Sequence, residues 1–332
     1  MNITILGAGA WGTALAINLA ARHAVNLWAR DPAQLEAMQD RRVNDRYLPG
    51  CAFPDALQLH ADLHHVLTGS DYLICATPVS GLRATLRAVR ESRCTTPMIW
   101  LCKGFERPDA RLPHEVFAEE TGAVAGAVLS GPSFAQEVAS GLPAALTLAS
   151  SDRKLAIAAA KALHGPALRV YSHDDVIGVE VGGAVKNVIA IAAGVCDGLG
   201  LGLNARAALM TRGLAEMTRF GVALGGRAET FMGLSGVGDL LLTCTGDLSR
   251  NRRIGLALAR GEAVTTAQAG LGHVAEGVFT AAEVRRRAQE RGIEMPITDA
   301  VCRLLAQPGR AADVVRELLA RDPKPENAGS RS

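Results

Sequence analysis

A chain of 332 residues, 48% hydrophobic, 20% charged and only 4% aromatic, has the composition of an ordinary soluble globular protein. It is too long for one typical hydrophobic core, so two domains are expected. A net charge of +2, with no basic run interleaved with aromatic residues, excludes a nucleic-acid or membrane-surface protein as the first reading.

Asn2–Leu6 reads as a short buried strand, followed without a gap by Gly7-Ala8-Gly9-Ala10-Trp11-Gly12. Thr13–Arg22 has helical composition and Val25–Trp28 is a second apolar run, which completes a βαβ unit. In this setting the three glycines carry chemistry. Gly7 allows a tight turn, Gly9 lets the backbone approach a pyrophosphate, and Gly12 lets helix and strand pack closely, with Thr13 opening the helix. The diphosphate of a dinucleotide would sit on the helix N-terminus, where free N–H groups and the dipole favour anions. The apolar start lacks the basic leading segment of a signal peptide.

The second strand ends in Leu27-Trp28-Ala29-Arg30-Asp31. An acidic side chain at this point binds a ribose 2′-hydroxyl, whereas arginine accommodates a 2′-phosphate. Arg30 therefore favours NADP(H), while Asp31 keeps NAD(H) open and could equally cap the helix beginning at Pro32.

Strand and helix go on alternating. Ser70–Ala76 reads as a strand ending in Thr77-Pro78, Gly81–Arg90 as a helix, and Pro97–Cys102 as a strand ending in Lys103-Gly104. Ala125–Leu129 is a strand ending in Ser130-Gly131-Pro132-Ser133; Ala144–Ala149 and Leu168–Tyr171 are two more, with the Lys154–Leu163 helix between them. The expectation is an α/β fold: a Rossmann-type, doubly wound, mainly parallel sheet over residues 1–172. Ligands of such a sheet bind beyond the carboxyl ends of the strands, where Lys103 would meet an anionic or carbonyl-bearing substrate.

After Asp174 the strand signal disappears, and residues 173–321 are expected to form an all-helical domain that holds the substrate. Its first stretch, Val176–Gly202, is apolar around most of its circumference and carries Lys186 and Asn187 in the middle. Glu180, Lys186, Asn187 and Asp197 make a bilayer span expensive, so this is read as a buried core helix. A buried ammonium needs a carboxylate partner to hold its charge. Lys186 could instead snorkel to the surface on its flexible stem, or pair with Glu180 for structure alone; Asp239, in a glycine-rich turn among apolar residues, would give a catalytic pair. Further on, Ser249 can cap a helix beginning near Arg250, and Ser249, Arg250 and Asn251 together suit a phosphate. Helices are also expected over Ala205–Leu224, Arg252–Arg260, Thr280–Arg291, Asp299–Leu305 and Ala311–Ala320, with a disordered tail over 322–332.

The seven cysteines stand singly, with no Cys-x-x-Cys pair, and fit reduced thiols in a cytoplasmic protein. The eight histidines do not pair with other ligands at metal-site spacing, so no metal is expected.

Eight segments resemble the NAD(P)-dependent glycerol-3-phosphate dehydrogenases of the bacterial biosynthetic type. They are GAGAWGT (7–13), NDRYLPG (44–50), CATPVSGLR (75–83), LCKGFE (101–106), LSGPSFAQEV (129–138), GAVKNVIAIAAG (183–194), GVGDLLLTCTGDLSRNRR (236–253) and VAEGV (274–278). Together they cover nearly the full length in the family's order. The resemblance implies reversible reduction of dihydroxyacetone phosphate to sn-glycerol 3-phosphate for glycerophospholipid synthesis, with hydride passing from nicotinamide C4 to substrate C2. Carried over by position, it implies Lys186 as proton donor and acceptor, Asp239 as its partner, and Lys103 and Asn187 beside the reacting oxygen. Gly131 and Ser133 would touch the substrate, and Ser249, Arg250 and Asn251 its phosphate. Trp11, Arg30, Lys103, Ala135, Arg250, Val274 and Glu276 match cofactor-contacting positions, and the role of Thr243 stays open. Two rivals remain: another two-domain hydroxyacid or phosphogluconate-type dehydrogenase, and a non-catalytic NADP-sensing regulator. An apolar helical half is compatible with a homodimer.

Overall fold

The computed structural model describes residues 1–122, 124–271 and 275–320. The tail 322–332 expected to be disordered lies outside them. The chain divides into two compact units, Met1–Glu180 and Val181–Ser332, with the division inside the long apolar helix.

The first unit is built on strands β1 (Asn2–Leu6), β2 (Ala24–Trp28), β3 (Val43–Asn44), β4 (Leu48–Ala52), β5 (Leu57–His60), β6 (Tyr72–Cys75), β7 (Met98–Trp100), β8 (Gly126–Ser130), β9 (Ala144–Ala149) and β10 (Leu168–His173). Eight of them form one sheet in the order β10-β9-β8-β7-β6-β1-β2-β5, while β3 and β4 make a separate antiparallel pair. Every pairing in the large sheet is parallel except β8 with β9. The expected doubly wound, mainly parallel sheet is therefore present. Its strands read as unbroken apolar runs because both faces are covered. In β6, Tyr72 and Ile74 join one buried cluster and Leu73 and Cys75 the other, as the alternation of a strand requires. Strands β3, β4 and β5 have no counterpart in the sequence reading. They are short, and LPGCA and LQLH lack the apolar continuity that marks the central strands.

Beyond His173 the described residues contain helices and no strand. The long helix spans Val176–Gly198 rather than running to Gly202. Gly200 and Gly202 take φ of +67° and +86°, and a second helix, Gly202–Ala223, begins there. The Val176–Gly198 helix is long and apolar enough to cross a bilayer, yet 83% of its most apolar window is buried within the protein. Val188, Ile191 and Val195 pack with Ile254, Leu258, Ala281, Val301 and Val314 from later helices, forming the core of the second unit.

All seven cysteines are free thiols, four of them buried. Burial pushes the Cys244 thiol up to about 12, far from nucleophilic use at neutral pH.

One buried acid in this unit serves the fold. Glu216, only 2% exposed, accepts from the backbone N–H groups of Ile297 (2.9 Å) and Thr298 (3.0 Å), and so caps the helix Pro296–Ala306 across more than eighty residues of chain. Burial raises its carboxyl to about 7, against the opposing pull of those N–H groups and of Arg219. The native state then holds a proton that the unfolded chain releases near pH 4.5. Stability from this group is complete below that pH and is lost as pH rises toward 7, by about 3 kcal/mol in all. Urea midpoints measured from pH 4 to 8 should fall more steeply for the native protein than for Glu216→Gln; parallel profiles would show that Glu216 does not titrate in this range.

Candidate active site

Within the first unit, the glycine turn joins β1 to the helix Ala10–Ala20. Gly7 takes φ +118°, and its N–H donates to Trp28 O at 3.0 Å, tying the turn to the end of β2. A Cβ on Gly12 would lie 2.1 Å from Gly7 O, so only glycine lets the helix start this close to the strand. Gly9 is the helix N-cap and offers no side-chain cap; a Cβ on it would meet nothing within 4 Å. Open space beside an uncapped helix start suits an anion, and this donor set fits the diphosphate of a dinucleotide. Trp11 and Ala135 pack on one small cluster of Ala14, Leu48 and Val138, while Thr13 is fully buried.

At the end of β2, Asp31 is the N-cap of the helix Pro32–Arg41. It accepts from Ala33 N at 3.1 Å and Gln34 N at 3.5 Å, and also from Arg46 at 3.2 Å. Arg30 is exposed beside it. At the ends of β7 and β8 the structure brings three expected substrate residues together: Lys103 Nζ donates to Gly131 O at 3.2 Å, and Ser133 Oγ donates to the same oxygen at 3.1 Å. Gly131 holds φ +138°, a backbone conformation that residues with a side chain rarely adopt.

Within the second unit, Lys186 is 7% and Asp239 0% exposed. Lys186 Nζ donates to Asp239 Oδ1 in a short charged contact and to Thr243 Oγ1 at 3.0 Å. Thr243 Oγ1 in turn donates to Asp239 O, one turn back. The sequence reading set Asp239 in a glycine-rich turn. It instead opens the helix Asp239–Thr245, directly after a π-turn over Leu234–Gly238. That turn rests against the long helix, where a Cβ on Gly182 would lie 2.3 Å from Ser235 O. Gly182 precedes Lys186 by one turn on the same face, so its missing side chain is what lets Asp239 come within reach.

Glu180, the alternative partner, is used elsewhere. It accepts from Trp100 Nε1 (2.7 Å) and His114 N (2.9 Å), and it meets His114 Nδ1 at 2.6 Å. Residues six apart on a helix do not face each other, whereas three or four apart do. The pair Lys186–Glu180 is thus ruled out by geometry.

Asn187 and Asn251 are both buried and bonded to each other, Asn251 Nδ2 donating to Asn187 Oδ1 at 2.9 Å. Asn187 Nδ2 donates to Gly183 O, and Gly277 N donates to Asn251 Oδ1 at 3.0 Å. Ser249 caps the helix Arg250–Ala259 through Arg252 N at 3.2 Å, as expected, and Arg250 stands exposed at its start within electrostatic reach of Glu276. Val274 lies outside the described residues. No group of three or more His, Cys, Asp or Glu side chains gathers as a metal site among the described residues.

The N-terminal model of NAD-dependent glycerol-3-phosphate dehydrogenase matches residues 2–156, and the C-terminal model matches residues 175–316. A glycerol-3-phosphate dehydrogenase [NAD(P)+] of Thiobacillus denitrificans is 58% identical over 328 residues, covering 98% of this chain and 100% of its own. One of Dechloromonas aromatica is 54% identical over 330 residues, covering 99% and 100%. The crystal structure of glycerol-3-phosphate dehydrogenase from Coxiella burnetii superposes with a TM-score of 0.91 at 45% identity, covering 96% of this chain and 99% of that one.

The chain belongs to the NAD(P)-dependent glycerol-3-phosphate dehydrogenase family.

It is therefore an oxidoreductase, and the reading as a non-catalytic regulator falls away. What the sequence reading missed in the family's second half is the π-turn and the contact at Gly182. A signal for the first was present, since the glycines of Gly233–Gly238 weaken a regular helix. The ion pair has a measurable consequence for stability. Asp239→Ala leaves an uncompensated buried ammonium and should destabilise by about 3–5 kcal/mol in urea, whereas Asp239→Ala with Lys186→Met should recover most of that loss. Additive losses in the double variant would mean that the two charges do not depend on each other.

Proposed function

We propose that the chain interconverts dihydroxyacetone phosphate and sn-glycerol 3-phosphate with Lys186 as proton donor and acceptor, and that it prefers NADP(H) to NAD(H). The single observation that carries this reading is the buried Lys186 nitrogen, held by Asp239 and Thr243 in the middle of an apolar helix. Bound nicotinamide supplies the hydride. As the carbonyl oxygen at C2 gains charge, the Lys186 ammonium gives it a proton, and Asp239 keeps the amine aimed. Help of this kind is worth about 10²–10⁴-fold.

Lys103 and Asn187 are assigned to the same oxygen by the motifs they occupy, with Gly131 and Ser133 beside the substrate. One preorganised donor to a developing oxyanion is worth about 10²–10³-fold. Ser249, Arg250 and Asn251 are assigned to the phosphate. Arg250 is the charged member of that trio, while Asn251 is committed largely to Asn187 and Gly277. The dinucleotide would be held by Gly7, Gly9, Gly12 and Thr13 at the turn, with Trp11, Arg30, Lys103, Ala135, Arg250 and Glu276 as further contacts. The engagement of the Asp31 carboxylate as an N-cap and with Arg46 supports NADP(H), because it leaves Arg30 to face a 2′-phosphate. A cytoplasmic homodimer making glycerol 3-phosphate for lipid synthesis is the setting that fits these features.

Initial rates with dihydroxyacetone phosphate should be higher with NADPH than with NADH, and Lys186→Ala should lose about 10²-fold or more in kcat while still binding the dinucleotide. An unchanged kcat would remove Lys186 from the chemistry, and a preference for NADH would reverse the role of Arg30. Arg250→Ala should chiefly raise KM for dihydroxyacetone phosphate, since a phosphate clamp grips ground and transition states alike. If that KM stays put, the phosphate is held by other groups.

A further inference from the structure

The glycine turn is braced from behind by two side-chain amides. The carbonyl oxygen of Ala8 accepts from Asn44 Nδ2 at 2.9 Å and from Gln34 Nε2 at 2.7 Å. The same Asn44 nitrogen donates to Thr13 Oγ1 at 2.8 Å, and Asn44 Oδ1 accepts from Tyr47 N at 3.3 Å. Both hydrogens of the Asn44 amide are thereby used, and a flipped amide would set its oxygen against the oxygen of Ala8. Asn44 is 1% and Thr13 0% exposed, so solvent cannot replace these bonds. The pair of strands β3 and β4 carries Asn44 to this place, anchored by Leu48 in the cluster with Ala14 and Val138. Gln34 arrives from the helix that Asp31 caps.

A trans peptide points its C=O and its N–H in opposite directions. Fixing the Ala8 carbonyl toward Asn44 and Gln34 therefore aims the Gly9 N–H away from them. Gly9 is the uncapped start of the helix Ala10–Ala20, and the space beside its Cα is open. We infer that Asn44 and Gln34 are positioning residues for dinucleotide binding, which lock the Ala8–Gly9 peptide so that its N–H faces the diphosphate. The inference rests on reading Gly7–Gly12 as the diphosphate seat. It concerns how the seat is preorganised, and neither residue belongs to the glycine pattern itself.

The test is calorimetric titration of the full chain with two probes: ADP-ribose, which carries a diphosphate, and 2′-AMP, which does not. Asn44→Ala and Gln34→Glu should each weaken ADP-ribose by about tenfold while 2′-AMP stays within about twofold, because only the first probe needs the aimed N–H. Gln34→Glu keeps the size of a half-buried side chain and replaces its donor by an acceptor, so it reads the brace even if Asn44→Ala fails to fold. Unchanged ADP-ribose affinity in Gln34→Glu, or equal weakening of both probes, overturns the inference. Gly9→Val separates the two layers. If it abolishes ADP-ribose binding while the amide variants do not weaken it, the brace alone is wrong; if ADP-ribose binds Gly9→Val normally, the seat is wrong and the brace with it.

Discussion

An ammonium and a carboxylate buried together, Lys186 with Asp239, set the terms for the second unit. Taking either charge out of water costs several kcal/mol, and the attraction offsets that cost only when the two approach closely and their remaining hydrogen-bonding capacity is met. The surrounding structure supplies both conditions. Gly182 lets the π-turn press on the long helix, so the carboxylate arrives at the amine, and Thr243 accepts from the amine while its own proton goes to the Asp239 backbone. A π-turn is a costly local choice that recurs at functional positions, and here it stands immediately before the acid. The apolar length of the helix follows from the same need, since a dry surrounding is what makes one oriented charge count.

The first unit solves a different problem, presenting backbone donors to an anion without side chains in the way. Its parallel strands deliver their carboxyl ends to one edge, where the Gly7–Gly12 turn and the Lys103, Gly131 and Ser133 group are found. A bare glycine turn would have many conformations, because glycine is the least restricted residue. The amides of Asn44 and Gln34 remove that freedom on the side away from the open space. Glu180, meanwhile, satisfies the Trp100 indole and the start of the helix Pro113–Thr121, which explains a buried acid on the long helix that takes no part in holding Lys186.

Much of the chemistry was readable in the sequence because its signals are local. Glycine spacing after an apolar strand, a lysine in the middle of an apolar helix, and Ser249 before Arg250 each need only a few neighbouring residues to be interpreted. Asp31 shows the limit. Its identity left two roles open, and only the tertiary structure shows its carboxylate bonded to Ala33 N and to Arg46. The edge strand β5 and the pair β3 and β4 were not readable, since they are held by partners rather than by their own apolar pattern.

The sequence by itself determined the α/β half and the helical half, because strand continuity, helix periodicity and glycine placement act over less than about twenty residues. Only the tertiary structure decided which carboxylate meets Lys186, what Glu180 and Glu216 do, and what stands behind the glycine turn. Each of those contacts joins residues 26 to 82 positions apart. Such pairings depend on how whole elements pack, and a buried polar group accepts whichever partner the packing delivers.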